Sequence, residues 1–471
     1  MRACERAVVS GRTREAFGRA RPVVSKAGDV ACFADDAVVY AEGVLALAVL
    51  EARAATGRSA PVGGREKRKP GTLGVLAAVV LLAATVMLPG CRREARPERD
   101  ARSAEVARGY TIPLVDLAGK KERQVVVDRE PGQYLGHPTT VLLEDGRTMI
   151  VVYPKGHGRG PIVMKRSEDG GLTWSERLSV PDNWATSLET PTIHRVVGPD
   201  GTRRLIVWSG LYPARLAVSE DDGVSWTPLE PAGEWGGIVV MSSVIELRGG
   251  GPGRYMAMFH DDGRFFAKEP RPEKPPVFTL YKTFSDDGGL SWSIPEAIDR
   301  SSEVHLCEPG VIRSPDGRTL AALIRENSRT RNSFVMFSED EGRTWSQPRE
   351  LPGALTGDRH VGAYAPDGRL LVSFRDMAHE SPTRGDWVAW VGTFDDIVHG
   401  REGQYRIRLM DNTKGSDCAY PGVEVLPDGT FVLTTYGHWI EGEEPYIVSV
   451  RLKLGDMIPI SSLFPPDGIG E

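Results

Sequence analysis

The sequence is short of cysteine. Its five, Cys4, Cys32, Cys91, Cys307 and Cys418, form no CxxC pair and no Cys/His cluster with metal-ligand spacing. That excludes a disulfide-stapled scaffold and a zinc module, while a single Cys307–Cys418 bridge stays open. An excess of positive charge is missing too. The 58 Lys and Arg stand against 64 Asp and Glu, a net charge of −6, so no basic surface speaks for nucleic acid. Glycine and proline are plentiful, 53 and 34 among 471 residues, which suits an all-β chain rich in turns. The length would allow two domains, but the periodicity described below argues for one large one.

The first hundred residues stand apart from that periodicity. Residues 1–64 are Ala/Arg/Gly-rich, without turn punctuation or sheet pattern, and read as an unstructured extension or a misassigned start, the true start falling near Val62. Arg65 to Lys69 are basic, Leu73 to Leu88 are almost wholly apolar, and Leu88-Pro89-Gly90-Cys91 closes the run. Residues 65–91 therefore carry the n-region, h-region and cleavage site of a secretory signal. Cys91, directly after Gly90, makes the segment resemble a bacterial lipoprotein signal, in which that cysteine is lipidated. A plain transmembrane anchor competes, but an apolar run of about 16 residues is short of the roughly 20 a span requires. Residues 92–109 are charged and aperiodic, a tether, and 461–471 a tail. The expected product is an exported monomer, held at a membrane by its N-terminal lipid alone, in the periplasm or at the cell surface.

Two repeats fill the rest. One is Ser-x-Asp-x-Gly-x-x-Trp: Ser167 to Trp174, Ser219 to Trp226, Ser285 to Trp292 and Ser338 to Trp345. Its aspartates, Asp169, Asp221, Asp287 and Asp340, can bond amides of their own turn; the glycine takes a positive φ; Trp174, Trp226, Trp292 and Trp345 supply apolar plugs. These are structural positions. The other repeat is an apolar run, an Asp-Gly or Gly-rich turn, and a second apolar run, six times, beginning near residues 141, 195, 244, 311, 363 and 423. A period of about 50 to 65 residues suits a four-stranded propeller blade. The sequence thus predicts an all-β, six-bladed β-propeller over 110–460 with four-stranded antiparallel blades, the Asp-Gly hairpin making strands one and two and the Asp-box joining three and four. Blades five and six lack the box, and Phe394-Asp395-Asp396 reads as a decayed remnant.

In such a blade the hairpin turns lie on one face, so the residues flanking the hairpins line the mouth of the axial pocket on the other. Leading into the strands are His137, Glu189, Ser242, Glu308, Arg359 with His360, and Asp417 with Tyr420; leaving them are His157 with Arg159, Trp208, His260 with Asp261, Arg325 with Glu326, Arg375 with Asp376, and Tyr436 with His438. So many ionisable groups at one mouth point to a ligand site. Asp-boxes on a propeller of this length resemble the sialidase superfamily. The resemblance implies a tyrosine nucleophile activated by a glutamate, three arginines clamping the substrate carboxylate, and an aspartic acid for proton transfer. Tyr420, in Cys-Ala-Tyr-Pro-Gly, is similar to that tyrosine; Glu308, in Cys-Glu-Pro-Gly, to the glutamate; Arg325, 17 residues on, to the second arginine; and Arg375 or Arg359 to the third.

Two departures stand out. Tyr134-Leu-Gly-His137-Pro138 has histidine where the family has its first arginine, and Gly156-His157-Gly158-Arg159-Gly160-Pro161 has no carboxylate where its aspartic acid belongs. Histidine can act as acid or base, and Arg159 could restore positive charge. The leading expectation is an exo-acting glycoside hydrolase without cofactor or metal, cleaving a terminal acidic sugar, with Tyr420, Glu308, His137 and His157 catalytic. Arg325, Arg375, Arg359, Arg159, His360, Glu189 and His260 would bind the substrate. Two alternatives accompany it: a glycosidase or lyase using histidine chemistry on uronic-acid glycans, and a glycan-binding propeller without turnover.

Overall fold

A computed structural model describes residues 109–271, 278–300 and 304–457. The expectations for residues 1–108, with Cys91 and the signal among them, and for the tail 461–471 lie outside the described residues. Within them six sheets form a closed ring, each inner strand touching the inner strands of the sheets before and after it. Blade I comprises Thr139–Leu142, Met149–Pro154 and Ile162–Ser167; blade II Thr192–Val197, Arg203–Ser209, Arg215–Ser219 and Glu230–Pro231; blade III Ile238–Glu246, Tyr255–Asp261, Thr279–Ser285 and Glu296–Arg300. Blade IV comprises Leu306–Arg313, Leu320–Glu326, Phe334–Ser338 and Arg349–Glu350, and blade V Gly357–Tyr364, Leu370–Asp376, Trp387–Gly392 and Tyr405–Met410.

Blade VI holds Gly422–Val425, Phe431–Gly437 and Tyr446–Leu452, and takes its outermost strand, Gln124–Asp128, from the opposite end of the propeller sequence. This antiparallel pairing, Gln124 opposite Val450 and Val126 opposite Val448, clasps the ring. Two blades depart from four strands: blade I pairs three, and blade V gains Leu114–Asp116 as a parallel fifth.

The core is divided among the seams between blades. One apolar cluster, around Trp184, joins blades I and II; another, around Trp208 and Phe259, joins II and III; a third, around Met256 and Leu323's neighbour Ala322, joins III and IV. The Asp-boxes seal these seams. In each, the aspartate accepts amides of its own turn, as Asp169 does from Leu172 and Thr173 at 3.0 and 2.9 Å, and the glycine three residues before the Trp is left-handed, as at Gly171 with φ 80°. Trp226, Trp292 and Trp345 pack into the seam behind their own blade and tie their Nε1 to the box glycine's carbonyl at 3.0–3.2 Å. Trp174, in the first box, is only partly buried, and its Nε1 has no such partner.

Two expectations are corrected. Phe394–His399 is a short α-helix, not a decayed box: Thr393 and Asp396 form a reciprocal capping box, which diverts the chain from a hairpin. Cys307 and Cys418 are both free thiols, and both are buried.

Candidate active site

The inner strands do not run straight into the mouth. Register breaks occur between Ile238 and Ser243, Cys307 and Gly310, and Asp358 and Val361, where the strand bulges. At these breaks, and just ahead of the inner strands of blades I and VI, the backbone turns left-handed at residues other than glycine: His137 (φ 52°), Val239 (51°), Glu308 (52°), Arg359 (57°) and Ala419 (56°). Five of the six blades thus carry one strained residue at the corresponding place, and three of these present ionisable side chains. Strain of this kind, of order 1–3 kcal/mol per residue, persists where the surroundings over-determine it and gathers at functional sites.

Tyr420 donates a short hydrogen bond to Oε1 of Glu308, 112 residues away in sequence. Arg325 Nη1 donates to the same oxygen at 3.0 Å and lies 3.5 Å from the Tyr420 hydroxyl. Oε2 of Glu308 is buried with no protein partner. Burial, and then the adjacent Glu308, push the Tyr420 phenol well above its ordinary range, so the resting hydroxyl is protonated. Arg375 stacks its guanidinium 5.7 Å from the Tyr420 ring centroid, and Arg359, wholly buried, donates to the Ser242 carbonyl at 2.5 Å. Asp358 holds the group together. It lies 3.3 Å from Arg325 Nε and 3.1 Å from Arg375 Nε, and accepts from Arg329 Nη2 at 2.8 Å.

The other side of the mouth is aromatic. The His137 ring lies 4.5 Å from both Tyr420 and Tyr436 and 4.8 Å from His157. His137 Nδ1 accepts the Gly158 amide at 3.1 Å, so the neutral ring carries its proton on Nε2, which faces the Tyr436 hydroxyl at 3.2 Å. Burial keeps it neutral by holding its pKa well below the ordinary value. Glycines make this contact possible: a Cβ at Gly156 would stand 2.5 Å from the Arg159 carbonyl, and one at Gly160 2.5 Å from that of Lys155. The loop carries His157 over His137, with Arg159 exposed beside it.

The remaining sequence candidates divide. Glu189 is buried on the blade II side, where burial lifts its pKa to about 8 against its backbone bonds and the charge of Arg359. His260 serves Glu308 indirectly: its Nδ1 accepts the Glu308 backbone amide at 3.3 Å. His360 is buried, with Nε2 turned to the Leu355 carbonyl at 2.8 Å and the ring against Phe374, so it braces blade V. Trp208 belongs to the apolar seam, not the mouth. In the three adjacent pairs leaving the second strands of blades III, IV and V, the second member, on the opposite side of the pleat from the first, caps the outgoing loop. Asp261 accepts the amides of Gly263, Phe265 and Phe266, Glu326 those of Ser328 and Thr330, and Asp376 that of Ala378.

Sequence reasoning passed over Asp358 and gave Asp417 no role. Asp417 accepts from Tyr134 at 2.8 Å, Tyr436 at 3.2 Å and His438 Nε2 at 3.1 Å, with His157 Nε2 at 3.5 Å. The only available signal was position: each precedes a candidate at the start of an inner strand.

The family profile described as a BNR repeat-like domain matches residues 206–433, from the second blade into the sixth. No curated protein matches the sequence significantly. Among solved structures, a protein of unknown function from Dyadobacter fermentans is 17% identical with a TM-score of 0.54, over 70% of this chain and 98% of its own. The intramolecular trans-sialidase from Ruminococcus gnavus is 14% identical with a TM-score of 0.49, over 69% and 95%. The NanB sialidase from Streptococcus pneumoniae is 13% identical, also at 0.49, over 71% of each chain. At such identities the likeness is one of fold. Four Asp-boxes, six blades in a closed ring and the match to the BNR repeat-like domain make the chain a six-bladed propeller built on BNR-type repeats.

Proposed function

We propose that the propeller is an exo-acting glycoside hydrolase that removes a terminal acidic sugar, sialic acid or a related 2-keto acid, from a glycan. The observation that carries this reading is the Tyr420–Glu308 hydrogen bond with Arg325 on the same carboxylate oxygen. An anomeric carbon that already bears a carboxylate repels a carboxylate nucleophile, whereas a neutral phenol can approach it. Tyr420 Oη bonds to the anomeric carbon as the glycosidic C–O bond breaks, and the phenol proton passes to Glu308. The departing oxygen takes a proton from an acid on the histidine side of the mouth. Water, giving its proton back to that group, then displaces the tyrosine, whose oxygen recovers the proton held by Glu308.

Charge supports the substrate class. Arg325, Arg329, Arg359 and Arg375 surround the ionised Asp358 and the Glu308 carboxyl, leaving an excess of guanidinium where a substrate carboxylate would sit. The test is incubation with a panel of sialosides and uronic-acid glycans. Release of reducing sugar, abolished by Tyr420→Phe, is the expected result. Binding without release would make the protein a glycan-binding propeller, and a Tyr420→Phe variant with normal turnover would move the chemistry to the histidines.

The same proposal puts the enzyme outside the cytoplasm on a lipid at Cys91, supported by the basic, apolar and cysteine-terminated run over 65–91. Cys91→Ser should shift it from the membrane to the soluble fraction; unchanged membrane retention would count against the anchor.

A further inference from the structure

We infer that Asp417, supplied by the loop leading into blade VI, is the positioning residue for His157 in blade I, and that the two form a carboxylate–imidazole pair that carries the proton to and from the glycosidic oxygen. The inference rests on the glycosidase reading above and names its acid/base group. The related family is expected to use a single carboxylate from the loop that here contains His157, and that loop has none.

Four groups from three stretches of chain converge on Asp417. Oδ1 accepts from Tyr134 and Tyr436 at 2.8 and 3.2 Å and lies 3.5 Å from His157 Nε2, while Oδ2 faces His438 Nε2 at 3.1 Å. His438 Nδ1 faces the Glu443 carbonyl at 2.9 Å. Both of its nitrogens thus meet acceptors, a setting that favours the imidazolium; burial opposes this, but the bonds to Asp417 and Glu443 outweigh it and raise its pKa. Asp417 is therefore an ionised carboxylate fixed from several sides, too tightly held to swing onto a substrate. It can act only through a neighbour.

That neighbour is identified by counting free nitrogens. His137 has none: Nδ1 accepts the Gly158 amide and Nε2 faces the Tyr436 hydroxyl. His157 Nε2 lies 3.5 Å from Asp417 Oδ1, and its Nδ1 has no protein partner among the described residues, with the side chain 24% exposed. An imidazole with one nitrogen on a fixed carboxylate presents the other as the proton carrier. The charged and titratable groups facing His157 are Tyr134, His137, Arg159, Arg375 and Asp417. Burial, Arg375 and Arg159 lower its pKa; Asp417 alone among them raises it.

The step balances. Nδ1–H of the His157 imidazolium protonates the leaving oxygen as Tyr420 takes the sugar, and the neutral ring then accepts a proton from the water that releases it. A leaving group that departs as a stable phenolate needs no such proton. Asp417→Asn and His157→Gln should therefore each cut kcat on an unactivated glycoside by about 10²–10⁴-fold and cut that on an aryl glycoside of the same sugar far less, with the double variant no worse than either single one. In Asp417→Asn the alkaline limb of kcat should also move to lower pH, because the group that raises His157 is gone. Equal losses on both substrates with an unmoved limb would overturn the pair. Asp417 also anchors two tyrosines, so the partly exposed His157→Gln carries the same substrate comparison should Asp417→Asn fold poorly. A wild type that releases sugar from no glycan defeats the glycosidase reading instead. The pair is then decided by NMR titration of the His157 ring: a lower pKa in Asp417→Asn upholds it, an unchanged one refutes it.

Discussion

Asp358 bridges Arg325 and Arg375, 3.3 Å from the Nε of one and 3.1 Å from that of the other, with its own side chain fully buried. Arg325 belongs to blade IV and Arg375 to blade V, so one carboxylate sets the spacing of two guanidiniums on neighbouring sheets. Removing it would leave at least two buried cations facing each other. Asp358→Asn should cost about 3–5 kcal/mol of stability in urea unfolding and raise KM for an acidic substrate more than it lowers kcat. Burial pushes Asp358 up, but Arg325, Arg329 and Arg375 outweigh burial and hold its folded pKa well below the unfolded value. Its contribution is accordingly present above the unfolded carboxylate range and lost as pH falls toward the folded value. The wild type should lose its advantage over the variant only in strong acid.

Tyr420→Phe keeps the ring that packs on His137 and removes the hydroxyl that meets Glu308. Turnover should drop on the order of a thousand-fold or more, with ligand affinity and melting temperature close to wild type. Calorimetric titration against the product sugar, beside a rate assay, separates the two effects.

Glu189 behaves in the opposite sense from Asp358. Its folded pKa is raised to about 8, above its unfolded value, so its carboxyl stabilises the fold while protonated. That contribution is complete below the unfolded pKa and fades as pH rises through about 8. Denaturant midpoints measured from pH 5 to 9 should fall more steeply for wild type than for Glu189→Gln, the two curves converging or crossing at the alkaline end. Parallel curves would show that Glu189 titrates as an ordinary exposed acid.

Trp292 is 8% exposed and packs against the Trp208 cluster between blades II and III. Trp292→Ala should cost about 3–5 kcal/mol by thermal or urea unfolding. Below the melting range its KM and kcat should stay near wild type, since the seam it fills opens away from the mouth.

The blades were readable because their signals are local. An Asp-Gly turn between apolar runs and a Ser-x-Asp-x-Gly-x-x-Trp box each complete their hydrogen bonds within ten residues, so each can be recognised without its neighbours. The partnership of Glu308, Tyr420 and Arg325 was legible through a resemblance, and all three are in contact. Asp358 and Asp417 were not legible as hubs. Which way a strand residue points follows from the alternation of the pleat, and the bulge between Asp358 and Val361 breaks that count one residue from where it matters. The clasp by Gln124–Asp128 escaped for another reason: Gln-Val-Val-Val-Asp repeats nothing elsewhere and carries no turn to announce a blade. The helix at Phe394–His399 was foreshadowed by Thr393 and Asp396 at capping-box spacing, a signal outweighed by the expectation of a sixfold pattern.

That clasp dictates an order of events in the life of the chain. Gln124–Asp128 is among the earliest parts of the propeller to leave the ribosome, and its partner Tyr446–Leu452 among the latest. Until the second arrives the first has no sheet to join, and blades I and VI share no boundary. His137 and His157 emerge early, Asp417 and Tyr420 hundreds of residues afterwards, and they meet across that same junction. A chain interrupted just before its final blade can fold most of its sheets and still possess no closed cavity.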